Sequence, residues 1–68
     1  VDIRERLARN LRKMRQQKNL SQEAFAHDVG IHRTYISDLE RGARNPTITI
    51  IDKLARFLGV TPGTLLDE

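Results

Sequence analysis

Apolar residues in this chain recur at steps of three and four, and residues that stop or start helices break the pattern at short intervals. That cadence constrains the fold more than any other feature, because such steps put side chains on one stripe of an α-helix. Ile3, Leu7, Leu11 and Met14 form the first stripe, on a helix expected over about 2 to 18 with Asn19 as a left-handed stop. Ser21 is a good N-cap, and Leu20 and Phe25 stand at the spacing of a hydrophobic staple. A second helix over about 22 to 29 then turns Phe25, Ala26 and Val29 inward and ends at Gly30, which accepts positive φ without a Cβ clash. A third begins near His32 or Arg33, although His32 is a poor N-cap, and ends at Arg41 with Gly42 as its stop. Pro46 disfavours helical geometry at Asn45, and Thr47 caps a fourth helix over about 48 to 58. Its inward residues are expected to be Ile48, Ile51, Leu54, Ala55 and Leu58, with Gly59 as the stop. Thr61 caps a short fifth helix that Pro62 opens, and Val60, Leu65 and Leu66 close the core.

The expected fold is therefore all-α, a compact five-helix bundle. Helices 2 and 3, joined tightly around Gly30, have the shape of a helix-turn-helix. With 68 residues the chain is one domain, 1–68. Val1 is not a methionine and the chain stops just after an apolar pair, so it is expected to be processed or cut from a longer regulator. There is no cysteine, which excludes disulfides and cysteine-based zinc sites and fits a reducing cytoplasm. No apolar run approaches the roughly 18 residues that span a bilayer, and the first residues show no charged-then-apolar signal-peptide pattern.

The net charge is +3, and residues 1–18 hold seven of the twelve basic side chains, which favours a polyanionic partner. Three aromatic residues are too few for a surface that stacks single-stranded bases. Helix 3 divides by face. Ile36 and Leu39, with Ile31 before them, anchor it, while Arg33, Thr34, Ser37 and Asp38 share the opposite side. A polar face on a short helix is often simply solvated. An α-helix also fits the major groove of B-form DNA, where arginine can donate two bonds to guanine and the threonine methyl can meet thymine. Arg33 is then the main candidate reader. The free backbone N–H groups at Ser21 and Gln22 suit a phosphate, and Arg41, Arg44 and Asn45 can hold the backbone on the other side.

Over essentially its whole length the chain resembles the helix-turn-helix family of phage repressors and Cro proteins, often called XRE-type. The segments "LSQEAFA", "YISDLERG", "NPT" and "LARFLGV", with Gly30 between the first two, carry the resemblance. It implies a lambda-repressor-like domain that binds double-stranded operator DNA, generally as a homodimer, to repress or activate transcription. By position, Gln22 matches a glutamine that touches phosphate. Arg33, Thr34, Ser37 and Asp38 match base-facing positions, and Tyr35 beside them is placed to meet a phosphate or a thymine methyl. Arg15 and Glu40 match a structural ion pair that links helix 1 to the end of helix 3. The segment "RTYIS" is similar to the controller proteins of restriction–modification systems and to other members, which leaves the subtype open. Two positions depart from the pattern. His32 stands where Ser, Thr or Asp would cap better. Asp38 is acidic on a face meant for DNA, and either accepts from cytosine N4 or bonds Thr34 or Arg41 one turn away, the second being preferred.

Other features are bland. His27 and His32 lie five apart, whereas helical metal-ligand pairs need steps of three or four, so no metal and no cofactor are expected. His32, Ser37 and Asp38 crowd one short helix and are not a positioned triad, so no enzyme is expected. The basic face of helix 1 is better explained by solvation than by a membrane, and no small-molecule ligand suggests itself. Ile50 and Phe57, seven apart, lie off the main stripe of helix 4. They are either overflow of a small core or, with Leu66, a two-fold dimer contact. The competing function is a protein-interaction module of the same fold, an antitoxin or adaptor, that works through the Ile50/Phe57 side.

Overall fold

The computed structural model describes residues 2–68, and Val1 lies outside them. Five helices follow in order: α1 (Ile3–Gln17), α2 (Gln22–Val29), α3 (Arg33–Glu40), α4 (Ile48–Leu58) and α5 (Pro62–Leu66). Each begins where a side chain accepts an otherwise unpaired backbone N–H. Asp2 accepts from Arg4 N, Ser21 from Ala24 N, Thr47 from Ile50 N and Thr61 from Thr64 N. The weak member is His32, whose Nδ1 accepts from Thr34 N at 3.4 Å.

The ends are equally specific. Asn19, Gly30, Gly42 and Gly59 all have positive φ, and beyond each the chain doubles back onto the last turn. At the end of α3, Gly42 N donates to Leu39 O at 3.1 Å and Ala43 N to Asp38 O at 2.9 Å, the paired bonds of a Schellman motif. Gly42 has φ +71°, a conformation a side chain would strain, and its turn lies against the Arg4–Glu5 backbone of α1.

The core is built from Leu7 and Leu11 of α1, Phe25 and Val29 of α2, Ile36 and Leu39 of α3, Leu54 and Leu58 of α4, and Leu65 of α5. Leu11, Phe25, Ile36, Leu54 and Leu65 are wholly withdrawn from solvent. Helix α1 packs on both α3 and α5, α2 on α3, and α4 on α5. Asn10 ties α1 to the end of α5 by donating to Leu65 O at 2.9 Å and Asp67 O at 2.6 Å. The assembly measures 28 × 22 × 21 Å.

One expectation about the core fails. Ile48 lies outside it, 85% exposed, although its spacing puts it on the inward stripe of α4. Ile3, at the head of the α1 stripe, is 48% exposed. The two share a cause. Each is the first residue of its helix. Helical Cα–Cβ bonds tilt toward the N-terminus, so a first-position side chain projects past the end of its own helix.

Candidate nucleic-acid interface

Helix α3 is held from behind. Ile36 and Leu39 are buried to the last percent, and Ile31 packs at the edge of the core just before the helix. Glu40, also on the inward side, is the sole charged residue in the described interior, at 4% exposure. A buried carboxylate needs compensation. Arg15 supplies it, Nε donating to Oε2 at 2.7 Å and Nη2 to Oε1 at 3.0 Å. The hydrogen bond to Glu40 raises the Arg15 pKa, so the guanidinium holds its proton more tightly than usual. Gln22 Nε2 donates to Glu40 Oε1 at 3.0 Å, and Arg15 Nη1 to Leu20 O at 2.7 Å. Arg12 Nη2 donates to the Glu40 carbonyl at 3.2 Å. The end of α3, the body of α1 and the start of α2 thus meet at one carboxylate, which fixes the angle at which α3 stands.

With its back fixed, α3 presents Arg33 and Thr34 to solvent, with Ser37 half-exposed one turn on. Among the described residues, no carboxylate lies within ion-pair distance of Arg33. Its donors are available to something outside the chain. Tyr35 is placed differently. It is half-buried against the core, and the Arg44 guanidinium lies 4.3 Å from its ring centroid. Asp38 is engaged as well. It accepts from Arg41 Nη2 and, at 3.1 Å, from Arg44 Nη2. These bonds, Arg41 first, hold the Asp38 carboxyl below its ordinary pKa. Of the two sequence-based options for Asp38, the bond to Arg41 is formed, and Arg44 joins it.

The flanking groups lie at the two ends of the helix-turn-helix. Ser21 Oγ is occupied as acceptor at the α2 cap, at 3.0 Å from Ala24 N, which leaves its hydroxyl hydrogen to donate. Gln22 has the Glu40 contact in addition to the phosphate contact expected of it, and its amide carries a second N–H. Arg41, Arg44 and Asn45 are exposed after α3. Sequence reasoning missed the Asn10 clamp, the Arg12 contact and the Arg44–Tyr35 stack. None has a spacing signature, because each depends on how the chain turns between elements.

The residues considered for pairing are divided between two places. Phe57 packs on Phe25 with ring centroids 5.5 Å apart, and the Lys18 ammonium lies 5.9 Å from its ring. It and Ile50 are half-buried against the core. Leu66 instead lines a shallow groove with Ile3, Leu7, Pro46 and Ile51. Among the described residues no cluster of three His, Cys, Asp or Glu gathers to hold a metal, and no helix is long and apolar enough to cross a membrane.

A short α2 and α3 set across the glycine turn, with a buried back and an open polar edge, is the arrangement of a helix-turn-helix. The helix-turn-helix family model HTH_3 matches residues 11–65. The chain belongs to this helix-turn-helix family. Control protein C.BamHI of Bacillus amyloliquefaciens is 46% identical to it over 67 residues, which cover 97% of this chain and 83% of that protein. The crystal structure of the hypothetical transcription factor NHTF from Neisseria matches with a TM-score of 0.92 at 42% identity, covering 97% of this chain and 76% of that one. The restriction–modification controller protein C.Esp1396I, solved as a tetramer in complex with its natural 35 base-pair operator, matches with a TM-score of 0.83 at 29% identity. There 96% of this chain and 86% of that chain are covered.

Proposed function

We propose that this helix-turn-helix protein is a sequence-specific, double-stranded-DNA-binding transcriptional regulator. In this reading α3 enters the major groove, where base pairs show distinct donors, acceptors and methyls. The observation that carries it is the open Arg33–Thr34 edge on a helix whose other side is fully buried. Arg33 and Thr34 read bases, with Ser37 assisting. Ser21, Gln22, Arg41, Arg44 and Asn45 position the phosphate backbone, and Tyr35 and Asp38 act through Arg44 and Arg41. The role is regulatory rather than enzymatic, and its place is the cytoplasm, beside the DNA. The protein acts as a homodimer on a two-fold operator, in keeping with the tetrameric operator complex of C.Esp1396I.

The competing reading is a protein-interaction module that works through the Ile50/Phe57 side, where both residues are half-buried against the core, and the operator complex of C.Esp1396I favours DNA binding over it. Selection of bound oligonucleotides from a random duplex pool tests the function. The expected product is two inverted half-sites with centres about 34 Å apart, one turn of DNA. Recovery of unselected sequence at low ionic strength contradicts the reading.

A further inference from the structure

Arg41 and Arg44 are the two cations best placed to follow α3 onto a phosphate backbone, and in the free protein neither is free. Both donate to Asp38, one to each carboxylate oxygen. The chain reversal at Gly42 makes this possible by carrying Arg44 back along α3, where it also stacks on Tyr35. Asp38 thus offers these guanidinia what a DNA phosphate offers, an anion with two oxygens to accept their bonds. The two guanidinia keep substantial exposure, 65% for Arg41 and 41% for Arg44, and the Asp38 carboxylate between them is partly open at 21%. Exposed ion pairs are weak and exchange readily.

Resting on the DNA-binding reading, we propose that Asp38 is an internal phosphate surrogate that sets overall DNA affinity by competing with the duplex for Arg41 and Arg44. Binding exchanges one anion for another, so part of the attraction of the two arginines is already spent before DNA arrives. The exchange is the same on any sequence. Asp38 therefore tunes affinity uniformly and leaves the choice of sequence to the Arg33 edge, unlike an aspartate that accepts from cytosine N4 and discriminates at one base pair.

The test is a cycle of variants of the whole chain, titrated with a selected duplex and with a random-sequence duplex across a salt series. Asp38→Asn keeps the shape and removes the charge. It is expected to raise affinity for both duplexes by the same factor, roughly fivefold, and to steepen the salt dependence by about one unit. In the Arg41→Ala/Arg44→Ala background the same substitution is expected to lose its effect, because the competition has no object. Asp38→Ala, checked by thermal unfolding, serves as a second removal of the charge.

Three results overturn the proposal. Affinity that is unchanged or lower in Asp38→Asn makes Asp38 a brace for the arginines. A gain that persists without the arginines makes it a general field effect. A loss of discrimination at one base pair makes it a base reader. Failure of the DNA-binding reading looks different: the wild-type chain then binds neither duplex at low ionic strength, and the proposal falls with it.

Discussion

Asp38 and Glu40 stand two residues apart on the same helix, carry the same charge, and are used in opposite ways. Glu40 is 4% exposed and takes its donors from α1 and α2, across 25 and 18 residues of chain. Asp38 faces solvent and takes its donors from the end of its own helix and the turn beyond. The difference follows from helical geometry. Two residues on a helix are about 200° apart, so a residue two beyond an outward one points in. A charge on the inside cannot exchange its partners without exposing a desolvated ion, while one on the outside can trade them for water or another anion. The inner carboxylate builds the platform, and the outer one attends to what docks on it.

The largest effect expected from this contrast is on stability. Arg15→Ala leaves Glu40 buried with its main partner gone, and removing one member of a buried pair costs about 3–5 kcal/mol. In a domain of this size that lowers the thermal midpoint by more than about 10 °C. Asp38→Ala should leave the midpoint almost unmoved. Equal losses in calorimetry of the two variants would erase the distinction between the two carboxylates.

A smaller effect sharpens the picture of how α3 starts. His32 caps the helix through a long bond from Thr34 N, at 3.4 Å. Replacement by serine, a better cap, should stabilise the fold by about 0.5–1 kcal/mol, read as a raised denaturant midpoint at unchanged slope. No gain would mean that the imidazole already caps as well as a hydroxyl.

The smallest effect is in the pH dependence. Arg4 holds the Asp2 carboxyl at about 2, through a side-chain hydrogen bond before any other cause. Arg41 and then Arg44 hold the Asp38 carboxyl low as well. A carboxylate depressed in the folded state favours folding above its unfolded value, near 3.9, and loses that contribution as pH falls through the depressed one. Following the side-chain carboxyl shifts by NMR should show the Asp38 midpoint return toward the ordinary range in Arg41→Ala. A midpoint that stays put would show that Arg44 alone sustains it.

Most of the architecture could be foreseen, for local reasons. Ser21, Thr47 and Thr61 cap where expected, and Asn19, Gly30, Gly42 and Gly59 stop their helices with positive φ. These signals act within a few residues and need no tertiary context. Ile48 was misplaced because spacing specifies an angle around the helix but not whether a neighbour still covers it at the end. The outward placing of Arg33 and Thr34 was legible from the period of α3. The Arg15–Glu40 pair came through family resemblance, since nothing local links residues 25 apart. The Arg44–Tyr35 stack and the double engagement of Asp38 needed the actual path of the chain after Gly42.

The exposed edge of α3 is the part of the molecule that reads bases, and Arg33→Ala tests that role most directly. Binding of the wild type and of this variant would be measured on the selected duplex and on its single base-pair substitutions at one fixed salt concentration. The expected result is a loss of about 1–3 kcal/mol of discrimination at one base pair in each half-site, with binding to random duplex little changed. An equal weakening on every duplex would reduce Arg33 to a phosphate contact and contradict the account.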